Sequence, residues 1–547
     1  MPARKPAILF LHCAAALALL AGALPARAQE TQLGRVEFPT SGSGAAKAHF
    51  LRGVAALHSF WFEEALDEFR AATAADPNFL MGYWGQAMAY NHPLWAEQDT
   101  AGARAVLEKT AGRRAPTARE NAYLDAVRAL YGAGDKLARD RAYCAEMEKV
   151  QRGYPEDSEA ALFYALSLLG TVRPGDTGFR RQMQAGAIAL AVFAKNPNHP
   201  GAAHYIIHAF DDPDHAILAL DAARRYAEIA PAAHHARHMP AHIFLQLGMW
   251  PEAAASNESA WAASVAWVER KHLSLAQRDL HSLHWLFYVY LQQGRYAKAA
   301  EIFALRQRVQ AEVGEAESHG AMHTAMGGRY YDDMRAEFVI ETGQWARAEQ
   351  FFPVSAADAG ASRGQILSVF VRGLAAAQAN SAEAEQCATK LAAARAELER
   401  AGETYRAKQI EIMELEVKGL FAARQGSAAA ATEAMQRAVK LEEELAPPSG
   451  PPDLIKPAHE LFGEILLQAG QPQQAAQQFA RALERQPNRA RSLLGAARAA
   501  VQSGDAAGAA AAYGKLLEIW RQADPQLAEL KEAQQYLNGT RASAQPR

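Results

Sequence analysis

Apolar and small residues recur along the chain at the spacing of one helix face, and no segment sustains the apolar–polar alternation of a half-buried strand. The pattern predicts an almost wholly helical protein. It also repeats. Gly53, Ala65, Phe69 and Pro77 near the start are spaced as Gly463, Ala475, Phe479 and Pro487 are near the end. A further unit follows directly, where Gly470, Ala475 and Phe479 recur at one common interval as Gly504, Ala509 and Tyr513. Other copies centre on "LQLGMWPEAAASNESA", "LQQGRYAKAAEIFA" and "IETGQWARAEQFF", with Gly248, Gly294 and Gly343 at the turn between two helices. Alanine follows five residues later in each, at Ala253, Ala299 and Ala348. Small residues let paired helices close on one another, and proline stops the second helix.

This skeleton resembles that of the tetratricopeptide-repeat (TPR) superfamily. The resemblance implies an all-α fold, an α-α superhelix built as a right-handed solenoid of helical hairpins, and a concave groove lined by the first helix of each hairpin.

Two stretches break the helical pattern. Residues 446–457, "APPSGPPDLIKP", carry prolines that forbid helix and read as a linker between a main array (residues 29–445) and a C-terminal repeat pair (458–547). At the start, Arg4 and Lys5 precede an apolar run from Ala7 to Leu24, and Ala26 and Ala28 fit an A-x-A cleavage site. Residues 1–28 therefore read as a signal peptide. The run is short for a membrane anchor, and no later stretch is apolar enough to span a bilayer. The expected location is periplasmic or secreted.

Removing residues 1–28 lowers Lys+Arg from 57 to 54 against 60 Asp+Glu, a net charge near −6, which argues against a nucleic-acid partner. Cys13 leaves with the signal, so Cys144 and Cys387 form at most one disulfide or stay as two buried thiols.

The repeat register gives meaning to "HHARHMPAHIF". With Gly248 as turn glycine, His235, His238 and His242 take the second, fifth and ninth places of their repeat. One repeat earlier the fifth and ninth places are His204 and His208; one repeat later His281 and His284 take the second and fifth. Residues four apart on a helix point the same way, and packed helices stand about 8–10 Å apart, so the groove over residues 200–290 should gather these rings. Stacking imidazoles on one face costs helix propensity and buries polar nitrogen, a combination that a transition-metal ion satisfies. The predicted ligands are His204, His208, His235, His238, His242 and His281, with copper, zinc or iron as the metal. Asn257, where the skeleton has an aromatic, and Asp211 and Asp212 are placed to hold the second ring nitrogens. His215 and His234 lack the register. His58, His92, His199, His319 and His459 read as isolated core or surface residues.

The segment also resembles a group of exported bacterial TPR proteins with an "HYIIH"-like helix followed by "HARHMPAHIF" and "LGMW", to whose pattern these histidines belong; no activity is secure for that group. No phosphate-binding loop, nucleophile elbow, C-x-x-C pair or H-E-x-x-H is present, and no catalytic residue is identified. Tyr83, Trp84 and Trp95 read as core, and Glu120 as a charge favouring a helix N-terminus. Two readings stay open: a metal-binding solenoid, with or without enzyme activity, and a metal-free TPR scaffold holding a peptide, protein or small molecule in its groove. Mass spectrometry of exported protein should find Gln29 at the N-terminus; an intact Met1 would refute the signal-peptide reading.

Overall fold

The computed structural model describes residues 32–95, 97–312, 321–353 and 360–544; the predicted signal peptide and His319 lie outside them. Helical hairpins follow one another along the chain, and the strands among the described residues are Asn91–His92 and Glu97–Gln98, paired antiparallel. No described helix is long and apolar enough to cross a membrane.

The turn glycines act as their spacing predicts. Gly248, Gly294, Gly343, Gly470 and Gly504 all have φ between +65° and +79°, the left-handed region in which a side chain would be strained. The alanine five residues on is buried in every copy. A Cβ added at Gly53 or Gly463 would stand 2.7 or 2.8 Å from the ring of Phe69 or Phe479, so bare backbone is what admits each aromatic to its hairpin.

First and second helices of the hairpins differ in burial. Ser158–Gly170 is buried at every position after its first residue, and Leu280–Gln292 at nearly every one, whereas Pro472–Arg485 buries little beyond Ala475, Phe479 and Ala482. An inner helix covered on all sides loses the amphipathic stripe, which is why these segments read as continuous apolar runs.

The proline-rich segment 446–457 forms no helix, as its composition predicts, but it does not hold two units apart. The C-terminal hairpins pack back onto the middle of the array. The Trp250 indole donates to the Asn488 carbonyl and the Trp520 indole to the Gln292 carbonyl, both at 2.9 Å. At the centre of this contact Arg489, fully buried, donates to Glu341 at 2.6 Å, Glu460 at 2.8 Å and the Tyr288 hydroxyl at 2.9 Å. The proline segment lies between the two faces. Its Pro448 carbonyl accepts from Gln246 at 2.9 Å, its Asp453 meets Arg329 at 2.9 Å and Arg363 at 3.2 Å, and Gly450 abuts the Trp285 ring so closely that a Cβ would stand 2.5 Å away. A chain that must cross a packed ring needs glycine there, and the flanking prolines hold it extended without backbone donors to satisfy. Cys144 and Cys387 are not disulfide-bonded.

Breaking one member of a buried ion network leaves its partners uncompensated. Arg489→Met should therefore destabilise the protein by about 3–5 kcal/mol at neutral pH, read from the urea midpoint. Burial alone would raise the pKa of Glu460, but Arg489 and Lys456 outweigh it and hold the carboxyl well below its ordinary 4.5. The stability this supplies is complete above pH 4.5 and is lost as the pH falls below it, because the unfolded chain then takes up a proton that the folded one refuses. The gap between wild type and Arg489→Met should accordingly narrow as the pH falls below 4.5; a gap that stays constant there would contradict the account.

Candidate metal centre

Three successive inner helices supply the predicted ligands. His204 and His208 lie on Pro200–Ala209, and His281 starts Leu280–Gln292. The middle element, expected as one helix, is divided at Pro240 into His234–His238 and Pro240–Gln246, because proline cannot donate the bond that would join them. Met239 between them keeps helical dihedrals (φ −54°, ψ −34°), so His238 and His242 still point the same way.

The six predicted residues gather into two trios. His204, His208 and His235 form one and His238, His242 and His281 the other, and within each trio one ring nitrogen per residue lies within 4.8 Å of the others. Both are built alike, from the fifth and ninth places of one repeat and the second of the next. The Nε2–Nε2 distance is 3.0 Å for His204 and His208 and 3.1 Å for His238 and His242.

Outer hydrogen bonds decide which nitrogen faces inward. The Asn257 amide donates to the Ala253 carbonyl at 2.9 Å, which turns its oxygen to accept from His238 Nδ1 at 2.6 Å. Asp211 accepts from His242 Nδ1 at 2.6 Å and is itself held by Gln246 at 3.2 Å. The backbone carbonyl of His58 accepts from His204 Nδ1, again at 2.6 Å. A carbonyl or carboxylate oxygen cannot donate, so in the neutral ring the proton sits on Nδ1 and Nε2 is left as a lone pair. His281 Nδ1 is 3.0 Å from the Tyr330 hydroxyl. His235 Nε2 is buried and has no hydrogen-bond partner among the described residues.

Burial disfavours charging these rings. It pushes His204 and His281 down to about 3 from the usual 6.5, and takes His208, His235 and His238 well below that value, with neighbouring imidazoles adding to the effect. His284, at the fifth place of its repeat, turns elsewhere. Burial opposes its charging too, but Glu337 at 2.9 Å outweighs that and raises its pKa, and the hydrogen bond engages its Nε2 away from the trios.

Other expectations divide. Asp212 does not support a ligand; it accepts from His215 Nδ1 at 2.8 Å. His234 pairs with Asp279 at 3.0 Å. His58 and His199 are not isolated, because Glu159, fully buried, bonds His58 Nε2 at 2.7 Å and His199 Nε2 at 3.1 Å. Their separation in sequence hid this network, which stands behind the His58 carbonyl that orients His204. Trp84 is core as expected, whereas Trp95 lies 5.8 Å from the His235 ring and lines the cavity. Glu120 accepts from Thr40, Ser41 and Thr117, so it fastens the N-terminal segment as well as starting its helix.

Two aromatics invisible to the repeat register pack on the trios. Phe60, with a strained φ of +52°, sits 4.3, 5.6 and 5.7 Å from the rings of His204, His235 and His208. Trp285 lies 4.1 and 4.9 Å from His242 and His238. Beside them opens a cavity of about 620 Å³, lined by His208, His235, His242, His281, Tyr330 and the proline segment.

No family model and no curated protein matches the chain. Among solved structures, the human IFIT1 dimer with m7Gppp-AAAA is similar over 88% of this chain and 91% of that one, at 15% identity and a TM-score of 0.34. The P58(IPK) TPR domain is matched over 92% of this chain and 100% of that one (12% identity, TM-score 0.21), and yeast Tom70 over 92% and 90% (12%, 0.25). At such identities and scores the likeness says nothing of function, and the fold is read from the hairpins themselves. Their turn glycines in the left-handed region, the buried alanine five residues on and the aromatic seated over glycine make the chain an all-α superhelix of the tetratricopeptide-repeat type.

Proposed function

We propose that the chain, exported after loss of residues 1–28, is a TPR-type scaffold that binds one or two transition-metal ions through His204, His208 and His235 and through His238, His242 and His281. The observation that carries this reading is the pair His238 and His242. Both commit Nδ1 to an outer acceptor and turn Nε2 inward, 3.1 Å from each other. Two lone pairs at that distance repel unless a cation lies against them. Burial disfavours a proton on His238. Nitrogens that each stand about 2.0–2.1 Å from one ion can be up to about 4.2 Å apart, so 3.1 Å suits a common ion. The unpartnered His235 nitrogen has the same remedy.

Imidazole ligands suit copper, zinc or iron. The outer partners Asn257, Asp211 and the His58 carbonyl fix tautomer and ring orientation, the role such groups play around metal-bound histidine. The cavity supports access for a small molecule to His208, His235, His242 and His281.

Elemental analysis of the full chain, purified without a histidine tag, tests the reading. Wild type should retain transition metal, and added metal should raise its melting temperature; at a hundredfold excess over Kd the stabilisation is about 2.7 kcal/mol per site. His238→Ala with His242→Ala should lose one site's metal and its share of the shift while helix content by circular dichroism is kept, since alanine favours helix. Unchanged stoichiometry and shift would remove the cage and leave a metal-free groove for a peptide or protein.

A further inference from the structure

We infer that the two trios form one coupled dicopper centre that binds dioxygen between its ions. This rests on the metal-binding reading above and adds to it the metal, the nuclearity and the ligand.

The two cages are neighbours. Ring centroids of His208 and His242, from different trios, are 5.7 Å apart, and those of His235 and His238 are 5.8 Å apart. Within a trio the spacing reaches 6.4 Å, for His208 and His235 and again for His242 and His281. Rings as close across the boundary as within it place the two ions side by side.

The donor set narrows the metal. Each trio offers three imidazoles, and the acids nearby are committed elsewhere: Asp211 to the outer nitrogen of His242, Asp212 to His215, Asp279 to His234 and Glu337 to His284. Non-haem iron oxygenase sites use two histidines and a carboxylate, and hard cations require oxygen donors. Three imidazoles suit copper and zinc alike, and of the two only copper exchanges electrons with a bound small molecule.

The opening selects the ligand. Two members of each trio, His208 and His235 with His242 and His281, line the same cavity, so a molecule entering it meets both ions. Phe60 packs on the rings of one trio and Trp285 on those of the other, while the outer wall of the cavity carries Arg329, Asp333 and Arg363, which offer an uncharged molecule no partner. A small neutral diatomic molecule enters such a place without loss of hydration. Each Cu(I) gives one electron and dioxygen takes two; two copper–oxygen bonds form as the O–O double bond becomes a single bond, leaving peroxide between two Cu(II) ions. No proton is needed, and release of dioxygen reverses the step.

The test uses the full chain without a histidine tag, loaded anaerobically with Cu(I) and then exposed to air. Two coppers per chain, a new peroxide-to-copper charge-transfer absorption and near-complete loss of the Cu(II) paramagnetic resonance signal through spin coupling are expected. His242→Ala and, on a different helix, His281→Ala should each retain one copper, lack the absorption and show the full resonance signal after oxidation. Circular dichroism identifies a variant that has failed to fold, and the other then decides. Two coppers with a full resonance signal in wild type, or a single copper per chain, would overturn the inference. Zinc bound at two ions per chain without copper–oxygen chemistry would also overturn it while sparing the metal-binding reading; failure to bind copper, zinc or iron would end both.

Discussion

An imidazole has two nitrogens and, when neutral, one proton, and the centre of this molecule depends on where that proton is put. Asn257, Asp211 and the His58 carbonyl each draw it to the outer nitrogen. The inner nitrogens of His238 and His242 are then two acceptors that face each other, His204 presents an acceptor to His208 Nε2 at 3.0 Å, and burial disfavours charge on His238 and His204. The outer partners thus define the character of the site as firmly as the histidines themselves do. Substituting Asn257 by an apolar residue would free His238 to adopt the other tautomer and bond to His242, closing the pair without any ion.

Much of this was legible in the chain because it is periodic. A repeat of constant length fixes which side chains share a groove, so the gathering of the six histidines follows from spacing, as do the turn glycines and the alanines that follow them. Periodicity also reveals a substitution, and Asn257 in place of an aromatic pointed to its supporting role. What the register cannot show is contact between distant repeats. Phe60, Glu159 and the His58 carbonyl reach the site from the N-terminal hairpins, and His284 leaves it because Glu337, 53 residues on, offers a stronger partner. Proline content likewise marked residues 446–457 as free of helix but not as wedged against Trp285, since composition says what a segment cannot form and not where it packs.

Closure of the array accounts for the remaining burial. An open solenoid exposes the inner faces of its first helices, whereas here Arg489, Trp250 and Trp520 bring the C-terminal hairpins onto the middle ones. The inner helices are covered on both sides, and the proline segment with Arg485 and Gln486 closes one side of the cavity onto which the histidines open.

The proline segment has a temporal consequence. Its Pro448 carbonyl meets Gln246 across 202 residues of chain. During synthesis or translocation from the N-terminus the histidines therefore emerge, and their hairpins can pair locally, well before their cover exists. Contacts of such long range form late, because the loop they close carries a large entropic cost. For that interval the rings stand open to the medium, and docking of the last hairpins then shuts over whatever they hold. Enclosure is an event in the life of the chain, completed only when its last hairpins dock.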